Sequence, residues 1–132
     1  MSVEIEHLED IPAIIAHFRE PFTPNEDIIT SIKRTAQILD TTEHKIFYRI
    51  DDLSNLNISF SDMVQGMAQS TQKNTPGSSL DPRLRVILVG SDDFILQIQN
   101  FAKQEQYGGM NLSVFATIAE AKKYIRTQLS LE

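Results

Sequence analysis

The sequence predicts an α/β protein: an N-terminal β-hairpin, then alternating helices and strands in the order ββαβαβαβα, with a mixed, mostly parallel sheet covered by helices. Three observations carry that expectation. Residues 83–125 read as strand, helix, strand, helix with sharp boundaries. Arg83-Leu-Arg-Val-Ile-Leu-Val-Gly90 is an apolar run ending in glycine, and Ser91-Asp92-Asp93 opens an amphipathic helix that stops at Gly108-Gly109. Leu112 to Ala116 is a second apolar run, and Thr117-Ile-Ala-Glu120 starts a last helix. Two strands joined by a helix of this length pair in parallel as neighbours. The second observation is Val3-Glu4-Ile5-Glu6, which alternates at the period of a half-buried strand. The third is Lys45-Ile-Phe-Tyr-Arg-Ile50, whose aromatic and β-branched residues suit a central strand.

The remaining elements follow in order. Glu9-Asp10 marks a turn, and Ile11 to Phe18 is the second strand of the hairpin; Pro12 has no N–H, so the ladder begins after it or meets an edge there. Pro21-Phe-Thr-Pro24 breaks the chain, and Asn25 is a fair N-cap with Glu26 and Asp27 suited to the first turn. Ile28, Ile29, Ile32, Ala36 and Leu39 form an apolar helical stripe that ends near Asp40-Thr41-Thr42. After the central strand comes a turn-rich connection, Asp51 to Asn57. A helix with Met63, Val64, Met67 and Ala68 at helical spacing follows, from about Ser61 to Gln72. Gly66 weakens that helix by about 1 kcal/mol relative to alanine. Residues 70–82, including Asn74-Thr-Pro-Gly-Ser-Ser79, have no periodicity and read as a flexible connection. In the last unit, Phe94, Ile95, Ile98, Phe101 and Ala102 make one stripe. Thr117 and Glu120 fit a capping box, and Ile118, Ala121, Tyr124, Ile125 and Leu129 make the closing buried face.

Composition bounds the function. A chain of 132 residues reads as a single domain, residues 1–132, with 41% hydrophobic and 23% charged content. No window approaches the ~20 uninterrupted apolar residues of a membrane helix. Met1-Ser-Val-Glu-Ile-Glu6 lacks the basic and apolar regions of a signal peptide, so a cytoplasmic location is expected. With no cysteine there is no disulfide and no thiolate nucleophile or metal ligand. A net charge of −6, with Lys33-Arg34, Arg83, Arg85, Lys122-Lys123 and Arg126 scattered, argues against nucleic acid or an anionic membrane as partner.

In an open α/β sheet, ligands sit beyond the carboxyl ends of the parallel strands. That edge would hold Asp51 and Asp52, Ser59 and Ser61, Gly90-Ser91-Asp92 and Ala116-Thr117. Adjacent carboxylates can hold a divalent cation, but Asp and Asn in tight connections more often bond their own backbone. Gly90-Ser91-Asp92-Asp93 has one glycine, and its two carboxylates would repel a phosphate, so it reads as a helix cap. His7, His17 and His44 are isolated, without a second ligand at metal spacing. No serine stands in G-x-S-x-G. The expectation is a protein that is not an enzyme and needs no metal or other cofactor.

Ile46-Phe-Tyr-Arg-Ile-Asp51, then Leu53-Ser54-Asn55 and a Ser-rich helix start, precede the strand Arg83–Gly90. Val114-Phe-Ala-Thr-Ile-Ala-Glu-Ala-Lys-Lys-Tyr-Ile125 closes the chain. This arrangement resembles the STAS domain, the fold of SpoIIAA-like anti-sigma factor antagonists, over nearly the whole chain. The resemblance implies a non-catalytic regulatory module that docks on a protein partner. In antagonists of this fold, a serine within Asp-Ser-Ser-Gly at a helix start is phosphorylated, and the added charge breaks docking. Ser61 lies nearest that position, in Ile58-Ser59-Phe60-Ser61-Asp62-Met63, without the preceding Asp or the following Gly. A cap role for Ser61 competes with a phosphosite. The expected interaction or phosphosite region is Asp51, Asp52, Ser54, Ser59, Ser61 and Asp62. Two alternatives stand beside it: a receiver-like phosphoacceptor using Asp51 or Asp52, and a small-ligand or lipid carrier with a groove lined by Met63, Met67 and Phe side chains. An unpaired edge on the hairpin would also offer a route to a homodimer.

Overall fold

The computed structural model describes residues 3–71, 75–90, 93, 97, 98, 100 and 113–131. Its elements are β1 (Val3–Leu8), β2 (Ala13–Phe18), α1 (Pro24–Thr41), β3 (Phe47–Asp52), α2 (Phe60–Ser70), β4 (Leu84–Val89), β5 (Ser113–Phe115) and α3 (Ile118–Ser130). The expected helix from Ser91 to Gly108 lies mostly outside the described residues; Asp93, Gln97, Ile98 and Asn100 within it are helical.

The strands form one five-stranded mixed sheet whose spatial order, β1-β2-β3-β4-β5, is the chain order. β1 pairs antiparallel with β2, and every later pair is parallel. Successive crossovers stepping the same way with one handedness put their helices on one face of a sheet. The packing agrees: Leu39 of α1 clusters with Ile14, Phe47 and Leu84, and Met63 and Met67 of α2 cluster with Leu88. α3 covers the opposite face, where Ala121 and Ile125 meet Ala13, Ile15, Tyr48, Ile50, Ile87 and Val89. Period-two alternation therefore sends Phe47 and Tyr48 under different helices.

Several boundaries differ from the sequence expectation. α1 begins at Pro24 with Thr23 as N-cap, so Asn25 is already inside the helix. Proline at the first helical position has no orphan N–H to satisfy. Asp27 reaches back to accept from the Thr23 N–H at 2.8 Å. The buried face of α1 also rotates away from the apolar count. Ser31 and Thr35 are buried while Ile29 is 37% exposed. α2 begins at Phe60, capped by Ser59, which accepts from the Asp62 N–H at 3.1 Å; Ser61 is therefore not the cap. The Thr117 half of the last capping box forms, with the Glu120 N–H donating to Thr117 Oγ1 at 3.2 Å.

The connection over residues 70–82 reads in the sequence as flexible, yet residues 75–82 are built into the α1–α2 face. Gly77 and Ser78 are buried. Gly77 has φ +82°, and a Cβ there would lie 2.3 Å from the Ile32 carbonyl oxygen. Only glycine accepts that backbone and that approach to α1. Asp81 holds the turn by accepting from the Gly77 N–H at 2.9 Å, while the Ser79 N–H reaches back to the Ser70 carbonyl at 2.8 Å. Hydrogen bonds of this kind leave no periodic trace in a sequence.

Candidate functional site

The carboxyl end of β3, Arg49-Ile50-Asp51-Asp52, places chemistry on both faces of the sheet. Arg49 and Asp51 project toward α1 and α2, and Ile50 and Asp52 toward the α3 side.

On the helix-pair face, the Arg49 side chain is only 2% exposed. Its Nε donates to Asp51 Oδ1 at 2.8 Å and its Nη2 to Asp51 Oδ2 at 3.4 Å. Nη1 donates to the Gly77 carbonyl at 2.8 Å and to Thr35 Oγ1 at 3.2 Å, and Nη2 also reaches Ser79 Oγ at 3.4 Å. One guanidinium thus joins β3, α1 and the 75–82 segment. Burial raises the Asp51 carboxyl above the usual aspartate range, opposed by the charge and hydrogen bonds of Arg49.

On the α3 side, a polar row crosses three strands. His17 Nδ1 lies 3.0 Å from Asp52 Oδ2, and its Nε2 lies 2.9 Å from Glu6 Oε1. Ser54 donates to Asp52 Oδ1 from its hydroxyl at 2.5 Å and from its N–H at 3.1 Å. Burial alone would lower His17, but hydrogen bonds to Glu6 and Asp52 outweigh it and raise its affinity for a proton. Burial would raise Asp52, yet the bonds from Ser54 and His17 leave it below the usual range. An imidazolium donates to both carboxylates at once, whereas a neutral imidazole donates to one. The hydroxyl of Ser54 is committed to Asp52, so His17 is not oriented to deprotonate it. The row is a Ser–Asp–His chain without the geometry of nucleophile activation.

The β3–α2 connection completes the edge. Ser54, Asn55, Asn57, Ser59 and Ser61 are exposed around the half-buried Leu53, Leu56 and Ile58. Glu20 ties this connection to the one after β2 by accepting from the Phe22 and Asn57 N–H groups at 3.3 and 2.9 Å. Ser61 Oγ accepts from Gln65 Nε2 at 3.2 Å. Between α2 and the sheet lies an apolar cavity of about 70 Å³, lined by Phe18, Phe22, Met63, Met67, Leu88 and Ile98 among others, with Asp51, Asp62, Ser70 and Ser79 as polar members. The methionines and phenylalanines expected along a groove do line one.

Of the six expected site residues, Asp51 and Asp52 are buried and face opposite ways, Ser54 belongs to the Asp52 cluster, and Ser59, Ser61 and Asp62 form the start of α2. Sequence reasoning missed Arg49, Thr35, His17 and Gly77. A charged residue in the middle of a β-branched strand, two positions before an aspartate, was the available signal for Arg49. His17 reads as isolated because its partners come from β1 and β3. Among the described residues, no group of three His, Asp or Glu side chains is placed to hold a metal ion. No helix among them is long and apolar enough to cross a membrane. No protein-family model, curated protein or solved structure matches the chain.

Proposed function

We propose that this chain is a non-catalytic, SpoIIAA-like regulatory module that binds a protein partner through the face spanning residues 51–66. The observation that carries the reading is the β3–α2 connection. Exposed Ser54, Asn55, Asn57, Ser59 and Ser61 rim half-buried Leu53, Leu56 and Ile58, a polar border around an apolar centre as in protein interfaces. The order of a hairpin followed by parallel strands with helices between them supports the STAS-like assignment. Ser61 is exposed in the first turn of α2, where a phosphate would add up to about two negative charges next to Asp62. Partner docking is then sensitive to charge at Ser61.

Affinity capture with the tagged chain tests the proposal. A partner retained by wild type and released by Ser61→Glu is the expected result. A Ser61→Glu chain that retains everything wild type retains, or a wild type that captures nothing, counts against it.

A receiver-like phosphoacceptor is the weaker reading. Asp51 would have to leave Arg49 to be phosphorylated, and Asp52 would have to leave Ser54 and His17. Mass gained on incubation with acetyl phosphate and Mg²⁺ would revive it. β1 is an edge strand whose outward backbone could pair with a second copy, and sedimentation at micromolar concentration decides whether it does.

A further inference from the structure

We propose that the cavity between α2 and the sheet is a binding site for a small neutral aliphatic ligand carrying a hydroxyl, whose chain sits against Met63, Met67, Leu88 and Ile98 and whose hydroxyl donates to Asp51. The site goes beyond partner docking and requires no partner. Its size sets the length of the chain. A cavity of about 70 Å³ has room for about three carbon atoms, against six in a dry cavity of about 150 Å³ that takes benzene. Methionine side chains adapt their shape, so the pair on α2 can admit a somewhat longer chain.

The floor sets the head group. The Asp51 side chain is 12% exposed and lines the cavity. Its oxygens accept from Arg49 Nε and Nη2. A carboxylate has about four acceptor positions, so capacity remains for another donor. The charges of Arg49 and Asp51 cancel, which leaves the floor with strong hydrogen-bonding groups but no net charge. A ligand carboxylate would bring an uncompensated ion into an apolar space that already holds the carboxylate of Asp62, whereas a hydroxyl would not.

The wall supplies an independent observation. Gly66 lies inside α2 and borders the cavity, and a Cβ built on it meets nothing within 4 Å. Glycine is the poorest helix former after proline. Here no neighbour forces its use, and it keeps side-chain atoms away from the cavity.

The test uses the purified chain and the straight 1-alkanols from propanol to octanol, with binding followed by amide chemical shifts. Affinity should rise about fourfold per added methylene and then level off once the cavity is full. Carboxylates of equal length should bind at least tenfold more weakly. Gly66→Leu should fold, since leucine is a better helix former, and should lose at least tenfold in alkanol affinity. Three outcomes overturn the site: no alkanol shifts residues 63–67 and 88, head group has no influence, or Gly66→Leu binds as wild type does. Each result leaves the partner-capture experiment with Ser61→Glu undecided, so the two readings fail separately.

Discussion

On the α3 face of the sheet, Ala13, Ile15, Tyr48, Ile50, Ile87 and Val89 meet Ala121 and Ile125, and charge stands at the margins with Glu6, His17, Asp52 and Arg85. On the α1–α2 face, the middle of the layer is the buried Arg49, bonded to Asp51, Thr35 and Gly77. The same strand, β3, builds both. An apolar face is stabilised by area removed from water and is indifferent to direction. The ionic face requires each partner at a set angle and distance, and in return it fixes a segment with no regular structure against the sheet. One face makes the domain compact, and the other determines where residues 75–82 and the start of the α2 cavity lie.

The largest expected effect comes from breaking the ionic face. Arg49→Ala leaves Asp51 buried without its counter-charge and is expected to cost about 3–5 kcal/mol, read from urea unfolding midpoints. Ile50→Val, one residue away on the other face, is expected to cost about 1 kcal/mol. Equal losses at the two positions would erase the distinction between the faces. Gly77→Ala comes next. It forces a Cβ to within 2.7 Å of the Ala36 nitrogen at φ +82°. The strain is roughly 2–3 kcal/mol, and amide exchange should show the loss concentrated in residues 75–82 rather than under α3. A third substitution works in the opposite direction. Gly66→Ala should stabilise by about 1 kcal/mol, because the new Cβ enters open space.

The two faces also differed in how much of them could be read in advance. Strict alternation in β3 and the stripe Ile118, Ala121, Ile125 in α3 made the apolar face legible, since burial by area follows period. The parallel pairing of β4 with β5 was expected from the helix-length segment between them. The ionic face was hidden. Ser31 and Thr35 interrupt the apolar stripe of α1, and the buried Thr35 hydroxyl is shared between the Ser31 carbonyl and Arg49. Thr75 to Pro82 carries turn residues in any reading, but nothing local says that the Gly77 carbonyl accepts from an arginine 28 positions earlier. Asp51 and Asp52 do end a central strand, yet each is turned into a cluster rather than presented at the rim. Asp51 finds Arg49 within its own strand, but the pairing of Asp52 with His17 depends on register, which no short window contains.

The smallest effect sharpens the comparison within one dipeptide, because Asp51 is raised by burial while Asp52 is lowered by its hydrogen bonds. His17, joined to Asp52, is raised above the ordinary histidine value. A group whose folded pKa is raised contributes its full stabilisation below the unfolded value, near 6.5 for histidine, and loses it as pH rises through the folded value. Asp52 works in the other direction: its contribution is present above about 3.8 and disappears as pH falls through its lowered folded value. The Glu6–His17–Asp52 row should therefore be most stabilising between those limits and weaken from about pH 6.5 upward. His17→Gln keeps a polar side chain in the row but removes the titration. Unfolding midpoints measured from pH 5.5 to 8.5 should fall for wild type across the upper half of that range and stay flatter for the variant. His7 and His44 are present in both proteins, so the difference between the curves belongs to His17. Parallel curves would mean that the row binds no extra proton on folding, and the imidazolium between two carboxylates would have to be abandoned.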